Sequence, residues 1–280
     1  MRLARAKVNL WLKIVGRRAD GYHLLESLIA FTDLADVIEA APSDDLSLQV
    51  DGPQSAPLLV ETDNLVLKAA RLLAGRAGVS PRVALSLTKH IPVAAGLGGG
   101  SADAAAALDA LVELWRIALP VEEMFDLAGS LGADVPMCLA GRPALASGVG
   151  ERLAPVPALP ACAILLVNPG VALPTAEVFA ARRGAFSVPA PPMRPWTTLG
   201  DFARLLAAHG NDLESPAIAL RPVIADVLAA LRAGAGARYV AMSGSGATCF
   251  ALYDDVARAR VAASGLPAAW WRHAGVLESG

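Results

Sequence analysis

The stretch Pro92-Val93-Ala94-Ala95-Gly96-Leu97-Gly98-Gly99-Gly100-Ser101-Ala102-Asp103 decides how the rest of the chain is read. Four of the five positions from Gly96 to Gly100 are glycine, a composition that raises the entropic cost of ordering the backbone. Such a run suits a place where the chain must turn sharply and approach a ligand closely. The residues from Ser101 to Leu114 are rich in alanine and leucine and predict a helix. The segment therefore delivers backbone N–H groups to a helix start, where the helix dipole adds partial positive charge, an arrangement suited to phosphate. Ser101 is placed either to cap the helix or to offer its hydroxyl to phosphate or metal. No Gly-Lys-Ser/Thr closes the run, and it is not a G-x-G-x-x-G after a first strand, so neither familiar nucleotide fingerprint applies. A flexible linker or plain tight turn is the competing reading, weakened by the strong helix former that follows.

On the N-terminal side, Val8–Val15 alternates with a period of two and predicts a strand, ended by a turn at Arg17–Gly21 with Asp20-Gly21 as its signal. Leu28–Phe31, Asp36–Ala40, Leu46–Val50 and Val83–Leu87 predict further strands. Between them, Leu65, Ala69, Leu72 and Leu73 share one helical face, with Asp63 or Asn64 as its cap. On the C-terminal side, Pro120 marks a helix start with Glu122 and Glu123 in its first turn, and Gly132–Pro136 breaks that helix. Ala161–Val167, Tyr239–Met242 and Cys249–Tyr253 read as strands; Ile218–Leu231 and Asp254–Ser264 read as helices. Prolines cluster at Pro155–Pro160, which predicts a lobe boundary, and Pro189–Pro195 predicts a surface connection. Strands alternating with helices argue for a mixed α/β or α+β protein.

The bulk properties exclude several classes. The chain has 280 residues, 55% of them hydrophobic, enough for one large domain or two lobes. A formal net charge of -2 argues against a broad nucleic-acid footprint. Cys138, Cys162 and Cys249 are far apart and form no CxxC, against a disulfide framework or zinc site and in keeping with a reducing compartment. Arg2, Arg5, Lys7 and Lys13 interrupt the N-terminal apolar run, a poor secretory signal. Mean hydropathy is +0.48, yet no uninterrupted apolar stretch of about 18 residues predicts a membrane span. No cluster of His, Cys or carboxylates suggests a metal cage built by the protein alone.

The run P-V-A-A-G-L-G-G-G-S-A-D-A-A resembles the phosphate loop of the GHMP kinase superfamily, P-x-x-x-G-L-G-S/G-S/G-A/S. Two other elements of that superfamily occur in order: Ala6-Lys7-Val8-Asn9-Leu10, and the second glycine-rich turn Met242-Ser243-Gly244-Ser245-Gly246-Ala247-Thr248. Ala6–Ser27, Leu131–Pro136, Asn168–Phe179 and Asn211–Glu214 are similar to one branch, whose members phosphorylate a cytidine-diphosphate-linked methylerythritol. Ala94 and Ala95 stand where some members carry extra glycines.

The resemblance implies an α+β, two-lobed GHMP-kinase-like fold. Residues 1–155 would form an N-terminal α/β lobe with the glycine-rich phosphate loop, and residues 156–280 a C-terminal ferredoxin-like lobe. It implies ATP-dependent phosphoryl transfer to an alcohol, with Mg2+ arriving on the nucleotide, in a cytoplasmic protein with no obligate protein partner. Carried onto this chain, Asp134 is the expected base and Lys7 its cationic partner. On pattern alone, Asp134 reads also as a helix-ending aspartate and Lys7 as a solvated strand-edge lysine. The expected ATP-binding residues are Pro92, Val93, Ala94, Ala95, Gly96, Leu97, Gly98, Gly99, Gly100, Ser101 and Ala102, with Asn64 and Lys89. Lys89 reads also as a strand-end surface charge. Substrate contacts are expected from Asn9, on the strand face of Lys7, and from Tyr22, His23, Thr175 and Phe179, with Gly244–Gly246 shaping the substrate end. Taken alone, Phe179 would be read as a core residue. The rival readings are a GHMP kinase acting on homoserine, mevalonate or a sugar, and a nucleotide-binding regulator without turnover.

Overall fold

The computed structural model describes residues 1–58, 64–190 and 195–280 of the chain. In chain order the described residues form β1 (Arg2–Arg17), β2 (His23–Pro42), β3 (Ser47–Asp51), α1 (Leu65–Ala77), β4 (Val83–Thr88), α2 (Gly99–Trp115), α3 (Val121–Leu131), α4 (Val135–Ala140), β5 (Ala144–Gly148), β6 (Arg152–Pro155) and β7 (Cys162–Asn168). There follow α5 (Thr175–Ala181), α6 (Leu199–His209), α7 (Glu214–Leu220), α8 (Val223–Ala233), β8 (Tyr239–Met242), β9 (Cys249–Tyr253), α9 (Val256–Ser264) and β10 (Trp271–Leu277). They sort into two compact units whose borders do not follow the chain. Unit 1 is Met1–Lys7, Leu34–Val93 and Gly98–Gly141; unit 2 is Val8–Asp33, Ala94–Leu97 and Arg142–Gly280. The sequence reading drew one cut near Pro155–Pro160. The difference arises because β1 and β2, which pair with each other, are long enough for each to serve both units.

In unit 1, β3 runs parallel to β4 with Leu48 opposite Leu85, and β4 is antiparallel to the second half of β2 with Leu87 opposite Ile38. The apolar sheet face carried by Ile38, Val83, Leu85 and Leu87 is covered by α1 and α2. Asn64 starts α1 as expected: its side chain accepts the Val66 N–H at 2.9 Å, while Asp63 lies outside the described residues. In α2 every residue from Ala102 to Leu108 is buried. Alanine is what allows this, since it favours helix and lets neighbouring backbones come close. The fully buried Leu73, Leu108 and Leu111 each contribute on the order of 1.5–3 kcal/mol.

In unit 2, β7, α8, β8, β9, α9 and β10 form a βαββαβ core, with α5, α6 and α7 inserted between β7 and α8, and sheet order β10-β7-β9-β8. Counted within that unit the order is 4-1-3-2 with antiparallel neighbours, the ferredoxin-like arrangement. Ala163, Leu165 and Val167 of β7 alternate toward the cluster that holds Ile224, Val227, Leu228 and Leu231 of α8 and Ala259 of α9. The helices therefore share one sheet face. The first half of β2 pairs with β5, and β5 with β6. Arg18 to Tyr22 closes the β1–β2 hairpin with backbone bonds of 2.8 and 3.0 Å.

Several elements differ from the sequence reading for identifiable reasons. The two short strands at Leu28–Phe31 and Asp36–Ala40 are one strand, β2, because nothing between them breaks the backbone. The single helix expected over Ile218–Leu231 is α7 and α8, interrupted at Arg221-Pro222. Proline lacks an N–H and pushes its predecessor out of the helical region, and Arg221 sits at φ -140°, ψ 86°. The proline-rich connection expected at Pro189–Pro195 falls partly outside the described residues. None of the helices among the described residues is long and apolar enough to cross a membrane.

Candidate active site

In unit 1 a candidate cluster is built on the start of α2. The helix begins at Gly99, with Gly98 at its N-cap in the left-handed region, φ 65°. A Cβ at Gly98 would be strained there and would lie 3.2 Å from Lys7 Cε. Glycine at this point therefore lets the helix start sit against the lysine stem. Of the two placements read for Ser101, the cap is taken by Gly98, and Ser101 occupies the first turn. The N–H groups of Gly99, Gly100 and Ser101 have no acceptor within the helix, the general condition of a first turn. The first intrahelical bond is Ala102 N–H to Gly98 O at 2.9 Å. Leu65, next to the Asn64 cap, would lie 3.8 Å from a Cβ on Gly100, so the start of α1 adjoins the start of α2.

Lys7 is buried on β1, and its Nζ lies 3.2 Å from Asp134 Oδ2, whose side chain is 41% exposed. Asp134 stands immediately before α4. Val135 N–H bonds Gly132 O at 3.1 Å and Cys138 N–H bonds Asp134 O at 3.2 Å, with Pro136 in the first turn. The carboxylate is thus aimed by a short, pre-set helix start rather than by a loop. The neighbouring Cys138 thiol is pushed up to about 12, by burial first and then by the Asp134 charge. It is inert as a nucleophile at neutral pH.

Lys89 is placed differently from the sequence expectation. Its side chain is 2% exposed and its Nζ is ion-paired with Asp36 and, at 2.7 Å, with Asp103. Asp36 also accepts the N–H groups of His90 at 2.6 Å and Ile91 at 2.8 Å, fixing the strand end that leads to the glycine run. A Cβ on Gly99 would lie 3.3 Å from Lys89 Nζ. Lys89 therefore underlies the loop as a buried brace. Burial pushes the Asp103 carboxyl up to about 8, opposed by Lys89 and reinforced by Asp36.

In unit 2 a separate cluster gathers around the second glycine turn. Asn9, buried on β1, donates its backbone N–H to Ser243 Oγ at 3.1 Å and its side-chain amide to Ser27 Oγ at 2.8 Å. Gly244, at φ 57°, brings the turn so close that a Cβ would stand 2.9 Å from Asn9 Oδ1. The middle of the first glycine segment is held by the same turn. Thr248 Oγ1 donates to Ala95 O at 2.6 Å and Ser243 Oγ to Gly96 O at 3.4 Å. Ala95 and Leu97 are buried, whereas Val93 and Ala94 are exposed. Thr175 Oγ1 and Ser245 Oγ share a hydrogen bond of 2.9 Å.

The His23 and Phe179 rings lie 5.2 Å apart, tilted by 38°. Phe179 is half-buried and lies beside His23; it also packs against the core cluster that holds its fully buried neighbour Val178. Burial, then the charges of Arg17 and Arg182, hold the His23 imidazole below its ordinary value. Tyr22, on the hairpin turn, is 66% exposed.

The structure thus brings Lys7, Asp134 and the helix start from Gly98 to Ser101 together in unit 1. In unit 2 it brings together Asn9 with the second glycine turn, Thr175 with Ser245, and His23 with Phe179. Sequence reasoning missed Asp36 and Asp103. Their signal was a carboxylate inside an apolar strand and another inside a run of alanines.

The chain matches the GHMP kinases N terminal domain over residues 64–142 and the GHMP kinases C terminal domain over residues 193–271. It is 53% identical over 271 residues to the 4-diphosphocytidyl-2-C-methyl-D-erythritol kinase of Paramagnetospirillum magneticum, covering 96% of this chain and 95% of that protein. It is 53% identical over 253 residues to the enzyme of the same name from Ruegeria pomeroyi, covering 90% and 88%. A crystal structure of 4-(cytidine 5'-diphospho)-2C-methyl-D-erythritol kinase superposes with a TM-score of 0.81 at 41% identity, covering 100% of this chain and 99% of that one. A mevalonate kinase from L. major, at 17% identity and a TM-score of 0.66, shares the fold. The chain belongs to the GHMP kinase family, among its 4-diphosphocytidyl-2-C-methyl-D-erythritol kinases.

Proposed function

We propose that this chain transfers the γ-phosphoryl group of ATP to the 2-hydroxyl of 4-diphosphocytidyl-2-C-methyl-D-erythritol, on the non-mevalonate route to isoprenoid precursors. The observation that carries the reading is the Lys7–Asp134 pair at 3.2 Å, with the Lys7 stem against Gly98, the N-cap of the helix that follows the glycine run. Phosphoryl transfer needs the acceptor oxygen and the phosphorus in line, and its transition state is largely dissociative. Asp134 takes the alcohol proton and, because little base strength is needed, its main contribution is to orient the hydroxyl. Lys7 places a fixed positive charge where charge develops on the transferring group. The free N–H groups of Gly99, Gly100 and Ser101, at the positive end of α2, suit the phosphates of ATP.

Magnesium, bound with the nucleotide, would neutralise developing phosphate charge and keep much of its water shell. The Ser101 hydroxyl, an oxygen donor in the same first turn, fits such an ion. Asn9, His23, Thr175 and Phe179 would hold the acceptor, with the exposed Tyr22 closing on the pyrimidine ring. Neutral imidazole offers one donor and one acceptor, which suits an aminopyrimidine edge. A cytoplasmic setting agrees with three free cysteines.

The test is incubation of the purified protein with ATP, magnesium and the proposed acceptor, followed by phosphorus NMR. A new phosphomonoester resonance is expected. Absence of product with this acceptor, alongside turnover of mevalonate or homoserine, would reject the assignment.

A further inference from the structure

The helix α5 poses a physical problem. It carries Thr175 and Phe179, yet it has seven residues and buries only Val178. Helices this short are not stable on propensity alone. Val178 and Phe179 pack on the core and α5 lies against α7, and hydrogen bonds in unit 2 fix its two ends. At its N-terminal end Thr175 bonds Ser245, and the turn bearing Ser245 is gripped by Asn211. The Asn211 side-chain amide donates to Met242 O and to Gly244 O, each at 2.8 Å. At its C-terminal end stands Arg182, whose backbone N–H bonds Phe179 O at 3.3 Å. The Arg182 guanidinium lies over the Phe186 ring at 5.3 Å, donates to Ala185 O at 2.6 Å and faces Asp212 Oδ2 at 4.0 Å. The same Asp212 oxygen accepts the Ile14 N–H and the Ser187 hydroxyl, both at 2.7 Å.

The dipeptide Asn211-Asp212 is itself anchored. Leu12 N–H bonds Gly210 O at 3.0 Å, and Asp212 N–H bonds Leu12 O at 2.9 Å, so the segment is laced to β1. Two adjacent side chains therefore hold the two ends of one short helix, through Ser245 on one side and Arg182 on the other.

We infer that Asn211 and Asp212 are positioning residues for acceptor recognition: together they set α5, and with it Thr175 and the spacing of Phe179 from His23. The inference rests on the proposed function, because it takes α5 to be an acceptor-binding element. Neither residue is expected to act on ATP. Asp212 is the sharper probe, since Asp212→Asn keeps an oxygen for Ile14 and Ser187 but removes the charge facing Arg182.

The experiment is steady-state kinetics on the full chain, with KM for the acceptor and for ATP measured separately, alongside thermal melting. Asp212→Asn and Arg182→Met are each expected to raise acceptor KM about tenfold, with kcat and ATP KM within about twofold, the signature of lost ground-state binding. Arg182→Lys, which keeps the cation, is expected to recover most of that loss. The double variant is expected to cost no more than the worse single one, because both break one contact. In calorimetry, cytidine 5′-diphosphate is expected to bind the variants more weakly than wild type. Unchanged acceptor KM in an active enzyme would overturn the inference alone. Acceptor KM, ATP KM and melting temperature all worsening together would reduce the dipeptide to general scaffolding and also overturn it. An inactive wild type would instead defeat the proposed function, and the inference with it.

Discussion

Unit 1 contains two lysine–aspartate sites that differ in one respect above all. Lys89 with Asp36 and Asp103 is sealed: the three side chains are 2%, 0% and 4% exposed. Lys7 is comparably buried, but its partner Asp134 is 41% exposed. The same pair of residue types therefore serves two ends. Where the carboxylates are closed in, the ammonium can only hold structure together, and here it holds the strand end and helix that deliver the glycine run. Where one carboxylate opens to solvent, the pair can meet a hydroxyl. Burial, rather than the presence of a lysine near a glycine-rich loop, separates the brace from the pair proposed to act on substrate.

The largest effect that can break this comparison is on turnover. Asp134→Asn is expected to lower kcat by roughly 10²–10⁴-fold, the range for a positioned base, while the melting temperature stays nearly constant, since an ion pair with one exposed partner contributes little to stability. Lys7→Met is expected to lower kcat by about 10²–10³-fold, as for loss of a group stabilising transition-state charge.

Next in size is the sealed site. Lys89→Met leaves two buried carboxyl groups without their cation and is expected to destabilise the fold by about 3–5 kcal/mol in chemical denaturation. A loss below about 1 kcal/mol would mean that the cluster is not the brace described.

The effect of pH on stability is the most discriminating one. Asp103 keeps its proton in the folded chain up to about pH 8, against 3.8 as its ordinary value. The native state therefore binds one proton more than the unfolded chain between those limits, and stability falls as pH rises from about 4 to about 8, then levels. Asp103→Asn, neutral at every pH, is expected to remove that slope from melting curves taken across the range. A slope unchanged in the variant would place the titration elsewhere.

The sequence makes the strands, the helix starts and the glycine run legible wherever a local pattern exists. The Val8–Val15 alternation, the Asn64 cap and the alanine-rich α2 are all carried by neighbouring residues. What it hides is of two kinds. Short elements stabilised from a distance leave little trace: α5 buries one residue, and its pins, Ser245 and Asp212, lie far along the chain. Charged residues buried by remote partners are hidden too. Asp36, Lys89 and Asp103 look like separate surface charges until the fold brings them together. For the same reason Lys89 reads from sequence as a phosphate contact. The interleaving of the two units is invisible locally, since it depends on β1 and β2 each serving both. On the site itself, Lys7, Asn9, Asp134, His23 and Phe179 are reachable only through the family resemblance, which is the source of the roles proposed for them.

The contrast between the two lysine–aspartate sites is tested most directly by single-turnover phosphoryl transfer in Asp134→Asn and Asp103→Asn side by side, each checked for folding by thermal melting. The account expects Asp134→Asn to be folded and slowed by roughly 10²–10⁴-fold, with Asp103→Asn turning over within about threefold of wild type and altered only in the pH dependence of its stability. A folded Asp103→Asn that loses turnover as severely as Asp134→Asn would contradict it, and would make the sealed cluster part of the chemistry.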